Sequence, residues 1–88
     1  MATKGERLPL AAVAAGRDVK VVALTGGQQF RVRALNLGVC PGVRLQVVRG
    51  GEGVAGPLLI SVGDGRLAIG QGMAEKVWVE YLDADGEQ

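Results

Sequence analysis

The chain has 88 residues, a formal net charge of +1 and an apolar content of 48%. That length suits one domain, which buries roughly 60–65% of its unfolded surface and needs no disulfide to hold a core. The single cysteine, Cys40, excludes an internal disulfide and fits a reducing compartment, and no apolar run nears the ~20 residues that cross a bilayer.

Residues 1–7 read as a disordered lead. Leu8 to Ala15 reads as a short turn of helix against the core, because Leu8, Leu10 and Val13 are apolar and alanine favours helix. This apolar patch contains Pro9 and lacks a secretory cleavage site, so a soluble, cytoplasmic protein is expected. Asp18 to Thr25 is rich in valine and reads as a strand with Val19, Val21 and Ala23 on one face. Gly26-Gly27 breaks it.

Gln28 to Leu37 fits two patterns. Phe30 to Ala34 alternates like a strand, whereas on a helical wheel Phe30, Ala34 and Leu37 share one face and Arg31, Arg33 and Asn36 fall off it. The residues that follow favour the helix. Gly38 sits where a left-handed helix terminator is wanted, Val39 is placed to touch the last helical turn, and Pro41 blocks continuation.

Val43 to Arg49 alternates with Val43, Leu45 and Val47 inward, and Gly50 to Gly56 reads as a loop. Leu58 to Val62 and Arg66 to Ile69 form a hairpin through the Asp-Gly signal of Gly63-Asp64-Gly65. Gly70 to Glu75 reads as a single helical or 3₁₀ turn, and Lys76 to Leu82 as a last strand with Val77, Val79 and Tyr81 on one face. Asp83 to Gln88 reads as an acidic disordered tail. The expectation is an all-β domain with small helical content: five short strands and one helix after the first. A sheet this small covers both its faces best by closing into a small barrel.

Charge is unevenly placed. Residues 1–49 carry eight basic side chains (Lys4, Arg7, Arg17, Lys20, Arg31, Arg33, Arg44, Arg49) against Glu6 and Asp18, a local net of +6. Residues 50–88 carry Arg66 and Lys76 against seven carboxylates, a local net of −5. A mixed solvated surface and a basic face that meets an acidic partner both fit this pattern.

Catalytic constellations are sparse. The chain has no histidine, so the commonest general base and metal ligand are missing and Cys40 has no partner of that type to activate it. Gly51 to Gly56 matches G-x-G-x-x-G, but the dinucleotide fingerprint needs a helix at the glycines and here Pro57 and another strand follow. Gly70 to Lys76 lacks the lysine-serine/threonine ending of a phosphate loop. Arg31, Arg33, Arg44 and Arg49 suggest a nucleic-acid surface, yet a groove for single strands adds stacking aromatics, and the chain has only Phe30, Trp78 and Tyr81. Trp78 alternates away from Val77 and Val79; it either packs under the N-terminal segment or faces a partner.

Taken in order, Leu8-Pro9-Leu10, Gly16 ahead of a strand, Phe30 to Gly42, Val43 to Arg49, Pro57 to Val62, Arg66-Leu67-Ala68-Ile69, Ala74 and Val77 to Val79 resemble the FeoA family over residues 8–82. The most specific piece is Leu-Gly-x-x-Pro-Gly, Leu37 to Gly42, behind an arginine-bearing helix. Val32 and Gly70 depart from the polar and basic residues usual in the family there. The resemblance implies a cytoplasmic SH3-like barrel that serves bacterial ferrous-iron uptake by assisting the FeoB permease, a membrane protein with a cytoplasmic GTPase domain. A similar domain occurs fused to iron- or manganese-dependent repressors.

On this reading the chain is an accessory protein and not an enzyme, and it meets the permease's cytoplasmic domain. Arg31, Arg33 and Leu37 are the expected contact residues, with Trp78 a further one; Gly38, Pro41 and Gly42 build the neighbouring turn. No cofactor is required, and any metal is Fe2+ or another divalent ion held loosely, with Cys40 the candidate ligand. The membrane is reached only through the partner and no nucleic acid is expected. The alternative is a nucleic-acid or repressor-type interaction module; an iron carrier would bind Fe2+ stoichiometrically through Cys40.

Overall fold

The computed structural model describes residues 5–83. In chain order it holds β1 (Arg7–Pro9), a 3₁₀ turn (Leu10–Ala12), β2 (Asp18–Leu24), α1 (Gln28–Asn36), β3 (Arg44–Arg49), β4 (Leu58–Val62), β5 (Gly65–Ile69), α2 (Gln71–Ala74) and β6 (Val77–Tyr81). The strands form one antiparallel sheet in the order β1-β6-β2-β3-β4-β5. The sheet curls around a single core as a small SH3-like barrel.

The strand expected first is β2, and the helix follows it as expected. The sheet has six strands rather than five because β1 adds to the outer edge of β6, pairing Leu8 with Val79 and Pro9 with Trp78. Three residues carry no readable periodicity. Pro9, which has no N–H to donate, is tolerated because β1 is an edge strand. The expected helical turn shrinks to the 3₁₀ turn behind β1.

Residues 5–7 correct the expected disordered lead. Gly5 N–H donates to Tyr81 O at 2.9 Å, and Tyr81 N–H donates to Glu6 O at 3.1 Å. Residues 1–4 of that lead and 84–88 of the expected tail lie outside the described residues. Asp83, also assigned to the tail, is held by Arg17: Nε donates to Oδ1 and Nη2 to the backbone oxygen, each at 3.0 Å. The Arg17 guanidinium also lies 4.0 Å from the centroid of the Tyr81 ring, so one side chain fastens the start of β2 to the end of β6.

Buried side chains come from every layer: Leu10 and Val13, Val19 and Val21 of β2, Ala34 of α1, Leu45 and Val47 of β3, Leu58 and Ile60 of β4, Ile69 of β5, Ala74 of α2, and Val77, Val79 and Tyr81 of β6. Ala23, expected inward, is exposed. A β-bulge sets Val21 opposite Val79 but Ala23 opposite Trp78. The extra residue flips the alternation, so Ala23 faces out and Leu24 packs against the core. In the β4–β5 hairpin the turn is centred on Gly63-Asp64, with Gly65 already in β5. Gly63 alone takes positive φ (+59°), which is the arrangement of a type II′ turn.

Candidate functional site

α1 buries only Ala34 of its nine residues. Gly27 opens the helix in extended conformation, and Arg31 Nε donates to Gly26 O at 3.3 Å across the entry. Its exit is tightly built. Gly38 N–H donates to Leu35 O at 3.0 Å and Val39 N–H to Ala34 O at 2.9 Å, the two bonds of a Schellman stop. Gly38 has φ +83°, a conformation side chains other than glycine's resist. The reversal carries Val39 into the core and leaves Leu37 outside.

The next turn ties α1 to the sheet. Val43 N–H donates to Cys40 O at 3.1 Å, with Pro41 and a positive-φ Gly42 as central residues. Gly42 N–H then donates to Val21 O at 2.8 Å and Val21 N–H to Val43 O at 2.9 Å. Cys40 is half-buried in this turn. Among the described residues no three His, Cys, Asp or Glu side chains cluster as metal ligands do.

With Ala34 buried and Phe30 half-buried, the opposite face of α1 is free. Val32 is 48% exposed, Leu35 61% and Leu37 39%; the other exposed large apolar side chain among the described residues is Val54, in the β3–β4 loop. Three of four such residues therefore lie on one helix and its cap, beside Arg31 and Arg33. The wheel that puts Phe30 and Ala34 inward also puts Val32 and Leu35 outward, so this patch had a signal in the sequence.

On its other side α1 borders a cleft of about 470 Å³ shared with α2. Phe30 and Met73 pack against the core beneath it, and Arg33 and Lys76 stand on its walls with Gly27 and Gly72. The Lys76 ammonium lies 5.7 Å from the centroid of the Phe30 ring. Sequence reasoning missed Met73, Lys76 and the two glycines, because they meet α1 only through the fold.

The remaining expected site residues are dispersed. Trp78 is half-buried on the outer face of β6, in register with Pro9 on one side and Ala23 on the other. Arg44 lines a second cleft of about 520 Å³ with Asp18, Gln46 and Ser61, where both signs of charge meet. Arg49 is at the far end of β3, about 17 Å along the strand from Arg44 at ~3.3 Å per residue. The four arginines therefore do not form one groove. The G-x-G-x-x-G loop is followed by Pro57 and β4 rather than a helix, and its first residue, Gly51, is buried together with the preceding Gly50. No helix among the described residues is long and apolar enough to cross a membrane.

The FeoA domain model matches residues 8–81. The chain belongs to the FeoA family. It is 34% identical over 79 residues to a candidate Fe(2+) transport protein A of Methanocaldococcus jannaschii, spanning 90% of this chain and 93% of that one. An iron uptake regulatory protein (FeoA) of known crystal structure superposes with a TM-score of 0.81 at 36% identity, covering 88% of this chain and all of the other. A manganese-dependent transcriptional repressor shares the fold over 89% of this FeoA-family chain and 43% of its own, with a TM-score of 0.78 at 22% identity.

Proposed function

We propose that this chain is a cytoplasmic, non-catalytic accessory protein of ferrous-iron transport that docks on the cytoplasmic domain of a FeoB-type permease through the outer face of α1. The family and the names of its relatives supply the pathway. The observation that carries the docking surface is the exposure of Val32 and Leu35 on the outer face of one short helix beside Arg31 and Arg33, with Leu37 exposed at its C-cap. An exposed apolar patch rimmed by charged side chains marks an interaction surface. Desolvating that face supplies affinity, and the two guanidiniums orient the partner.

Pull-down or calorimetry with the purified cytoplasmic domain of the permease tests this. Binding is expected at low salt and is expected to be lost in a Val32→Glu/Leu35→Glu double variant that keeps its circular dichroism. Failure of the folded wild-type protein to bind, or undiminished binding by the variant, overturns the reading.

A further inference from the structure

We propose that the cleft between α1 and α2 seats an acidic segment of the protein partner that carries an apolar side chain. The inference rests on the docking reading above and adds the chemistry of what is docked.

Three features of the cleft point the same way. First, its charge is of one sign. Arg33 and Lys76 line it and no carboxylate does, and neither cation has an ion-pair partner among the described residues. The backbone from which Lys76 projects is anchored, because Thr25 N–H (2.9 Å) and Thr25 Oγ1 (3.2 Å) both donate to its carbonyl oxygen. Second, the floor is apolar. Phe30 and Met73 are half-buried, packed on the core from one side and open to the cleft on the other. Third, the rim is bare: a Cβ added at Gly27 or Gly72 meets nothing within 4 Å, so an incoming chain reaches the backbone there.

The competing ligands use only part of this. A lone inorganic anion would occupy the cations and leave the floor wet, and about 470 Å³ is well above the volume it needs. A nucleic-acid strand presents phosphates in series, but Arg44 and Arg49 are on other elements and Phe30 is the one aromatic in the cleft. A short peptide that alternates carboxylates with apolar side chains satisfies both walls and floor.

The test is a titration followed by amide ¹H–¹⁵N spectra, using a short capped peptide that alternates Glu with Leu and its Lys-for-Glu counterpart. The acidic peptide is expected to shift the amides of Gly27, Gly72 and Lys76, and the basic peptide to leave them unmoved. Arg33→Gln and Lys76→Gln are each expected to weaken binding by about fivefold, the upper range for an exposed charge pair. Gly72→Trp is expected to abolish it, since Gly72 has helical backbone and open space in which the indole fills the cleft.

Unmoved cleft amides, equal shifts with the basic peptide, or equal shifts with inorganic phosphate or anionic vesicles overturn the proposal. So does undiminished binding by Gly72→Trp or by the two cation variants. Permease binding that survives Gly72→Trp but is lost in Val32→Glu/Leu35→Glu keeps the docking reading and sinks this one. Peptide binding in the cleft without permease binding does the reverse.

Discussion

Replacing Gly51 with alanine places a methyl group where the fold has no room. Gly51 has φ +91°, and its added Cβ would lie 2.1 Å from Val13 O, with Val13 C at 3.3 Å. The left-handed conformation costs an L-residue roughly 1–2 kcal/mol. Relieving the overlap means parting the β3–β4 loop from the segment after the 3₁₀ turn, a strain of about 1–3 kcal/mol by analogy with overpacked cores. That movement also threatens the bond from Glu52 N–H to Val13 O, now 3.0 Å, worth about 0.5–1.5 kcal/mol. Together these come to about 2.5–6.5 kcal/mol. At 0.05–0.15 kcal/mol per residue, an 88-residue domain has about 4–13 kcal/mol in all. Gly53 is the internal control: its φ is +71°, yet an added Cβ meets nothing within 4 Å, so Gly53→Ala pays only the conformational part, about 1–2 kcal/mol. Thermal melts followed by circular dichroism should show Tm falling by roughly 10–50 °C for Gly51→Ala and roughly 4–16 °C for Gly53→Ala. Equal losses from the two substitutions would refute the close-approach argument.

Arg17→Ala removes the hydrogen-bonded ion pair with Asp83 and the stacking on Tyr81, and should lower stability by about 1–2 kcal/mol in urea denaturation. An unchanged urea midpoint would mean that the sheet seam is held by backbone pairing alone. Ile60→Ala, at a fully buried site on β4 between Val47 and Leu67, should lose about 2–5 kcal/mol by the same measurement. Leu35→Glu should change stability by no more than about 0.5 kcal/mol, because Leu35 is 61% exposed. A larger drop in its urea midpoint would show that α1 buries this face against the domain.

The strands β2 to β6 and the end of α1 are set by neighbours in the chain. Alternating valines mark β2 and β3, and Gly38 with Pro41 stops α1 through hydrogen bonds that reach no more than five residues. The resemblance to FeoA rests on the same local pieces, above all Leu37 to Gly42. For that reason the barrel and the family were both readable before any coordinate.

Other features depend on residues that meet only when the sheet closes. β1 exists because β6 offers a free edge to Arg7–Pro9 from seventy residues away, and the bulge before Ala23 is a matter of register against Trp78. Gly51 is buried because the loop after β3 folds onto Val13 O. Likewise, Phe30 and Arg33 face Met73 and Lys76 across a cleft whose two walls are some forty residues apart in sequence. Backbone preference and side-chain periodicity act over a few residues and so are written along the chain. Register, close approach and a shared cleft arise from contacts between distant segments, which the tertiary fold alone brings together.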